Sequence, residues 1–339
     1  MIIIIPSLKT LPPPPSEKTG WPWTEESEPI PEKMPDGKPW PKISIVTPSY
    51  NQGQFIEETI RSVLLQNYPN LEYIIIDGGS TDNSVEIIKK YETWLTYWAS
   101  EKDKGQAHAI NKGFRKATGS IYAYLNSDDF FLPNALYIVG EYFMRRVNEK
   151  LIVNFSGNEM AENGDRIYRP AQVFHPELTN WLSSESSLLQ QTTFWTKKLH
   201  EKIKWFREDL EFCFDKDFFL KAIFKYGEFA GCKEFELGTF RHHSDAKTSK
   251  LTHIMWKENA ILWEFYKKDP YFARILKREQ AERRSANHLQ ACFNTIGFIE
   301  SSKHLFHAAF LYPNHVKTRF YLGAWKKIFY RFIKRVLSG

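Results

Sequence analysis

Between residues 43 and 129, four short apolar runs each stop on a cluster of small, polar or acidic residues, and stretches of helical spacing separate them. The runs are Ile43–Pro48, Leu71–Ile76, Thr96–Ala99 and Ile121–Leu125. Apolar runs without alternation suit strands buried on both faces of a parallel sheet. Between the first two, Phe55, Ile56, Thr59, Ile60, Val63 and Leu64 recur at the spacing of one helix face. Strand and helix in regular alternation make a doubly wound α/β sheet with right-handed crossovers. Pro48 is expected to break the first strand. Ligands of such open sheets sit outside the carboxyl ends of the strands, and the polar clusters fall there.

Each cluster carries a chemistry. Pro48, Ser49, Tyr50 and Asn51 offer an aromatic face for stacking and donors for a base or ribose. Asp77 can accept from a base N–H or a ribose hydroxyl, and Gly78 and Gly79 let backbone come close. Asp82 or Thr81 is expected to cap the helix that follows. Asp103, Lys104 and Gly105 open the helix Gln106–Ala117. Asn126, Ser127, Asp128 and Asp129 end the fourth run, and two adjacent carboxylates concentrate charge that a hard divalent cation would offset. Taken singly, all four are ordinary turn material. Four in succession along one sheet edge argue for a nucleotide site.

Composition narrows the class. A chain of 339 residues holds one large α/β domain with additions, or two smaller ones. With 42% hydrophobic and 25% charged residues, global disorder is excluded. A net charge of +6 permits contact with anionic lipid or phosphate but does not indicate nucleic acid. Cys213, Cys232 and Cys292 have no CxxC spacing and no even set to pair, which gives no zinc site and suits a reducing cytosol. Met1–Ile5 is apolar but too short for a signal peptide or a spanning helix. Prolines forbid a regular helix in residues 1–41, and Trp21, Trp23 and Trp40 are expected to lay this arm across the domain surface.

The order and spacing of Ile45-Val46-Thr47-Pro48-Ser49-Tyr50-Asn51, Asp77-Gly78-Gly79-Ser80-Thr81-Asp82, Asp103-Lys104-Gly105-Gln106 through Phe114, and Leu125-Asn126-Ser127-Asp128-Asp129 resemble the family 2 glycosyltransferases. The resemblance is close over about residues 42–135 and looser to about 250. It implies a GT-A fold: a Rossmann-like mixed sheet flanked by helices, here with a helical C-terminal extension. The first two motifs would then hold the nucleoside of a UDP-, dTDP- or GDP-sugar. The fourth resembles the family's DxD metal motif for Mn²⁺ or Mg²⁺. Asn126 stands where that motif often has Asp, so the resemblance makes Asp128 the metal ligand and leaves Asn126 for the ribose or donor sugar.

The resemblance also assigns the second half. Phe214-Asp215-Lys216-Asp217 is similar to the family segment that carries an acidic catalytic residue at a helix start, with Asp215 preferred and Asp217 second. The plain alternative is acid complementing a helix dipole. Phe240-Arg241-His242-His243 with Lys247 and Thr248 resembles the closing loop, implying Arg241 and Lys247 on the diphosphate and His243 on the metal. The expected domains are an arm at 1–41, a catalytic domain at 42–250 (42–135 for the sugar nucleotide, 136–250 for the acceptor), and a helical region at 251–339. In Arg319–Leu337, Leu322, Trp325, Phe329, Phe332, Ile333 and Val336 line one side of a basic amphipathic helix, which can lie on a bilayer or dock on the protein. The implied function is an inverting, metal-dependent transfer of sugar to a glycan or lipid-linked acceptor in cell-surface polysaccharide biosynthesis. The expected location is cytoplasmic, with or without attachment to the inner membrane face. The alternative is a non-catalytic nucleotide- or glycan-binding protein on the same fold.

Overall fold

The computed structural model describes residues 6–172, 177–182, 188–244, 246–247, 252–294, 298–311, 313, 321–328 and 330. The chain divides into two compact units, Met1–Pro176 with Asn180–Leu262, and Glu177–Thr179 with Trp263–Gly339.

The first unit is built on a mixed sheet. Its elements in chain order are β1 (Ile43–Ser49), α1 (Ile56–Leu64), β2 (Leu71–Asp77), α2 (Ser84–Lys90), β3 (Tyr97–Ser100), α3 (Gln106–Lys116), β4 (Ile121–Tyr124), β5 (Phe130–Phe131) and α4 (Ala135–Phe143). There follow β6 (Leu151–Met160), β7 (Arg166–Arg169), α5 (Leu178–Leu182, of which residues 178–179 belong to the second unit), β8 (Thr193–Thr196), α6 (Lys197–Ile203), α7 (Phe214–Lys221) and β9 (Glu228–Arg241). The strand order is β3-β2-β1-β4-β8-β6-β9-β5, with β7 paired to β6. β2, β3 and β4 run parallel to β1 or to one another, and the order turns back between β1 and β4. That reversal opens a crevice at the carboxyl ends of β1 and β4.

The expected break at Pro48 does not occur. β1 continues to Ser49, with Pro48 opposite Ile76 and Ser49 opposite Asp77. The pairing of β1 with β4 ends at Val46–Tyr124, so Pro48 faces no strand on that side and its missing N–H costs no ladder bond. The N-cap position of α2 is Asn83 rather than Asp82 or Thr81, and Asp82 Oδ1 accepts the Ser84 amide at 3.0 Å from one residue further back.

The apolar runs become the core. Ile43, Ile45, Ile75, Ile121 and Ala123 pack with Ile56, Ile60, Val63 and Leu64 of α1 on one face. The arm joins that core, since Leu11, Met34 and Trp40 are buried in it. Its anchor is Arg61 on α1, which is fully buried. The guanidinium donates to the carbonyls of Pro12 (2.8 Å), Pro22 (3.0 Å) and Trp23 (2.9 Å) and to the Tyr91 hydroxyl (3.2 Å). A buried cation is tolerated only when its donors are met in this way. Trp21 Nε1 adds a bond to the Phe131 carbonyl at 2.7 Å.

Helix α8 (Thr252–Lys268) begins in the first unit, and α9 (Pro270–Asn294) and α10 (Phe298–Leu311) belong to the second. In the second unit Leu289, Leu305 and Ala308 form a small core with Tyr321, Ala324 and Ile328. Glu279 accepts the amides of Leu178 and Thr179 at 2.5 and 3.1 Å. In the terminal helix Tyr321, Ala324 and Ile328 are buried and Trp325 is half-buried against them, whereas Leu322 is 54% exposed. Arg319, Phe329, Arg331, Phe332, Ile333, Lys334, Arg335 and Val336 lie outside the described residues. Among the described residues no helix is long and apolar enough to cross a membrane.

Candidate active site

The loops after β1 and β2 are laced together. The Asn51 amide donates to Ser80 Oγ (2.8 Å) and Asn51 Oδ1 accepts the Thr81 amide (2.9 Å). The Gly53 amide donates to Asp82 Oδ2 at 2.8 Å. Asn51 adopts φ of 52°, a left-handed turn that Asn tolerates, and this leaves Tyr50 61% exposed beside the crevice. Pro48 and Ser49 are buried beneath it. Asp77 is fully buried. Its Oδ2 accepts the Gly79 and Ser80 amides (3.0 and 2.9 Å) and the Ser100 hydroxyl (2.6 Å), and Oδ1 accepts the Ser80 hydroxyl. A Cβ at Gly78 would stand 2.7 Å from the Asp103 carboxylate, so the loops after β2 and β3 approach closely here. Asp103 Oδ1 accepts the Gly105 amide at 2.8 Å, and Lys104 is exposed on the same turn.

At the end of β4, Asn126 is held from three sides. Its Oδ1 accepts from Gln106 Nε2 at 2.7 Å, and its Nδ2 faces Asp129 Oδ2 and Gln190 Oε1, each at 3.3 Å. Gln190 in turn donates to the Tyr124 carbonyl at 2.7 Å. Ser127 is buried, and Thr59 Oγ1 donates to the carbonyls of Ser127 (3.0 Å) and Asp129 (2.6 Å). Asp128 projects the other way, its Oδ2 lying 3.2 Å from His243 Nε2. Asp129 turns inward, and burial together with the neighbouring Asp128 holds its carboxyl well above the usual carboxylate range.

Arg241 fastens these pieces. Its amide donates to Asp129 Oδ1 (3.0 Å), its Nε to the Asp128 carbonyl (2.9 Å), and its Nη2 pairs with Glu58 at 2.9 Å. The guanidinium lies over the rings of Phe55 and Phe130 at 4.9 and 5.2 Å. Arg241, which the resemblance sets on a diphosphate, thus has Glu58 as its ion-pair partner at the same sheet end.

Helix α7 brings the acids. Asp217 is 1% exposed and pairs with Lys221 at 2.6 Å, so it faces the interior of the unit. Asp215 is half-buried, its Oδ1 accepting the Lys216 amide at 2.6 Å. Burial raises its carboxyl to about 6, against the opposing pull of Lys216 and Lys247. Lys247 donates to the Glu211 carbonyl (2.7 Å) and lies 3.5 Å from Gln106 Oε1, with burial lowering its ammonium. Gln106 thus links the β4 end, through Asn126, to the closing segment. Asp245, Thr248 and Ser249 of that segment lie outside the described residues.

The structure gathers Asn126, Asp128, Arg241, His243 and Lys247 at one sheet end, with Asp215 tied in through Lys247. It separates Asp217 from them, and it commits Asp77 to shaping its own loop. Gln106, Gln190 and Glu58 hold the site together, and Glu58 was not singled out by the sequence. Gln106 sits inside a quoted motif, but its partners are Asn126 and Lys247, twenty and more residues away, and no spacing rule shows that. Among the described residues, no group of three or more His, Cys, Asp or Glu side chains could hold a metal without further ligands.

Residues 44–208 match the sequence profile of Glycosyl transferase family 2. The chain is 31% identical over 183 residues to an uncharacterized glycosyltransferase of Nostoc sp., covering 52% of this chain and 54% of that protein. It is 37% identical over 130 residues to TuaG of Bacillus subtilis, provisionally assigned as a teichuronic acid biosynthesis glycosyltransferase, covering 37% of this chain and 50% of that protein. The match thus spans about half the length of both relatives. Among solved structures, residues 1–349 of TarS from S. aureus, crystallised with UDP-GlcNAc, superpose with a TM-score of 0.54 at 19% identity. That match covers 69% of this chain and 70% of the other, and it identifies the fold as GT-A.

Proposed function

We propose that this chain, a family 2 glycosyltransferase through residues 44–208, moves a sugar from a nucleotide-sugar donor to a hydroxyl of a glycan or lipid-linked acceptor, with inversion at the anomeric carbon. The observation that carries the reading is the convergence of Asp128, His243 and Asn126 at the β1/β4 crevice, with Asp215 the acid left half-buried beside it. The exposed Tyr50 ring is the stacking surface for the base, and the Asp77 loop forms the rim of the nucleoside pocket. TarS binds UDP-GlcNAc, so UDP-sugars head the panel to test, with dTDP- and GDP-sugars after them. TuaG supports cell-surface polysaccharide as the setting.

The donor set at Asp128 fits a hard divalent cation. A carboxylate oxygen and an imidazole nitrogen 3.2 Å apart would hold Mn²⁺ or Mg²⁺ while leaving positions for diphosphate oxygens and water. Such a cation would neutralise the charge of the leaving diphosphate. Asp215 takes the proton of the acceptor hydroxyl, a role that favours a carboxyl with a value near the working pH.

Calorimetry of the full chain with UDP, dTDP- and GDP-nucleotides, with and without Mn²⁺, tests the reading. We expect cation-dependent binding that Asp128→Ala removes while the thermal transition stays in place, because Asp128 is at the surface of the crevice. Cation-independent affinity in that variant would remove the metal role. Binding without transfer to any glycan would favour the non-catalytic alternative.

A further inference from the structure

The turn that carries Asp215 has no cap of its own, since Cys213 precedes α7 and its side chain caps no amide. Three successive amides there, of Glu211, Phe212 and Cys213, converge on one carboxylate from another element. Glu258 of α8 accepts them at 2.6, 2.8 and 2.8 Å and is itself 6% exposed. These amides lie in the turn leading into α7, and one buried carboxylate next to a helix start satisfies all three and favours the positive end of the helix. The neighbouring Asn259 accepts from Lys216 Nζ at 2.6 Å, and Cys213 Sγ donates to the Met255 carbonyl at 3.7 Å. From the opposite side Lys247 grips the Glu211 carbonyl.

We propose that Glu258 is a positioning residue for Asp215, an inference that rests on the reading of Asp215 as the base. It acts through the backbone of 211–213 and touches no substrate. Removing its carboxylate leaves three amides without their acceptor, and the first turn of α7 then moves or frays. A base displaced by about 1 Å costs on the order of a hundredfold in rate. The nucleoside loops after β1 and β2 share no hydrogen bond with Glu258, so nucleotide affinity is expected to stay.

The test uses the full chain with Glu258→Ala and Glu258→Gln, reading kcat, KM for the sugar donor, UDP affinity by calorimetry and thermal stability. We expect Glu258→Ala to lower kcat by roughly thirtyfold or more with UDP affinity within about twofold. Glu258→Gln keeps one acceptor oxygen and should recover at least about fivefold of that loss. Unchanged kcat in a folded Ala variant overturns the inference, as does a parallel fall of kcat and UDP affinity. If the Ala variant does not fold, the Gln variant decides: reduced kcat with UDP affinity kept supports the role, and full activity overturns it. Asp215→Asn measured alongside separates the two readings. A transfer-competent Asp215→Asn removes the base assignment itself, whereas an inactive one beside fully active Glu258 variants removes only the role of Glu258.

Discussion

Asp215 and Asp217 are two positions apart, and the structure gives them opposite fates. Neighbours at that spacing do not share a helix face. Asp217 goes inward to Lys221, and Asp215 is left half-buried with its carboxyl raised to about 6. The sign follows from burial, which favours the neutral acid. With Asp215 as the proposed base, transfer uses the carboxylate, so its rate should rise with pH through about 6 and level off above it. Stability runs the other way: the contribution of the protonated acid is full below its unfolded value of 3.8 and is lost as pH rises through about 6. Asp215→Asn should therefore cut transfer by at least about a hundredfold while melting higher than the parent at pH 8. That thermal advantage should shrink toward pH 4. Normal transfer in Asp215→Asn, tracked as nucleotide release, would move the base elsewhere.

Helix α1 shows what an element can do beyond packing. Its apolar face builds the core, its first turn places Glu58 on Arg241, and Arg61 gathers the arm. The arginine gave no signal in the periodicity, because a charged residue inside an apolar stripe reads as an interruption. Its partners are main-chain carbonyls, which no side-chain pattern reveals. Arg61→Met should leave the Pro12, Pro22 and Trp23 carbonyls without donors, at about 3 kcal/mol or more in a urea melt. Trypsin should then cut the arm at Lys9 or Lys18 before the rest of the chain. An unchanged midpoint and an intact arm would show that its tryptophans suffice to hold it.

At the scale of the whole molecule, the net charge of +6 is joined by exposed aromatic surface in the second unit. Phe306 and Phe310 are 62% and 85% exposed on α10, Leu322 is 54% exposed, and Phe306 meets Trp325 edge to face at 5.7 Å. Lys303 and Lys326 flank them, which suits the proposed contact with an anionic membrane surface. Phe306→Ser with Phe310→Ser should release the protein from anionic vesicles at low salt while leaving UDP affinity unchanged. Sedimentation of the parent with neutral vesicles only, or with none, would end the membrane reading.

The sequence by itself determined the α/β class, the first four strands along the chain and the location of the polar clusters at their ends. It did so because burial on both strand faces demands unbroken apolar runs, and because a parallel sheet confines ligands to one edge. A helix also followed from spacing after the first run, where Phe55, Ile56, Thr59, Ile60, Val63 and Leu64 mark the face of α1. Only the tertiary structure decided which partners the polar residues at that edge meet. Arg241 pairs with Glu58, Asp77 accepts from Ser80 and Ser100, and the turn before Asp215 is bonded to Glu258. Each of those outcomes depends on a partner far away in sequence or on a main-chain atom. Periodicity records which face a residue takes, not which distant group will meet its charge.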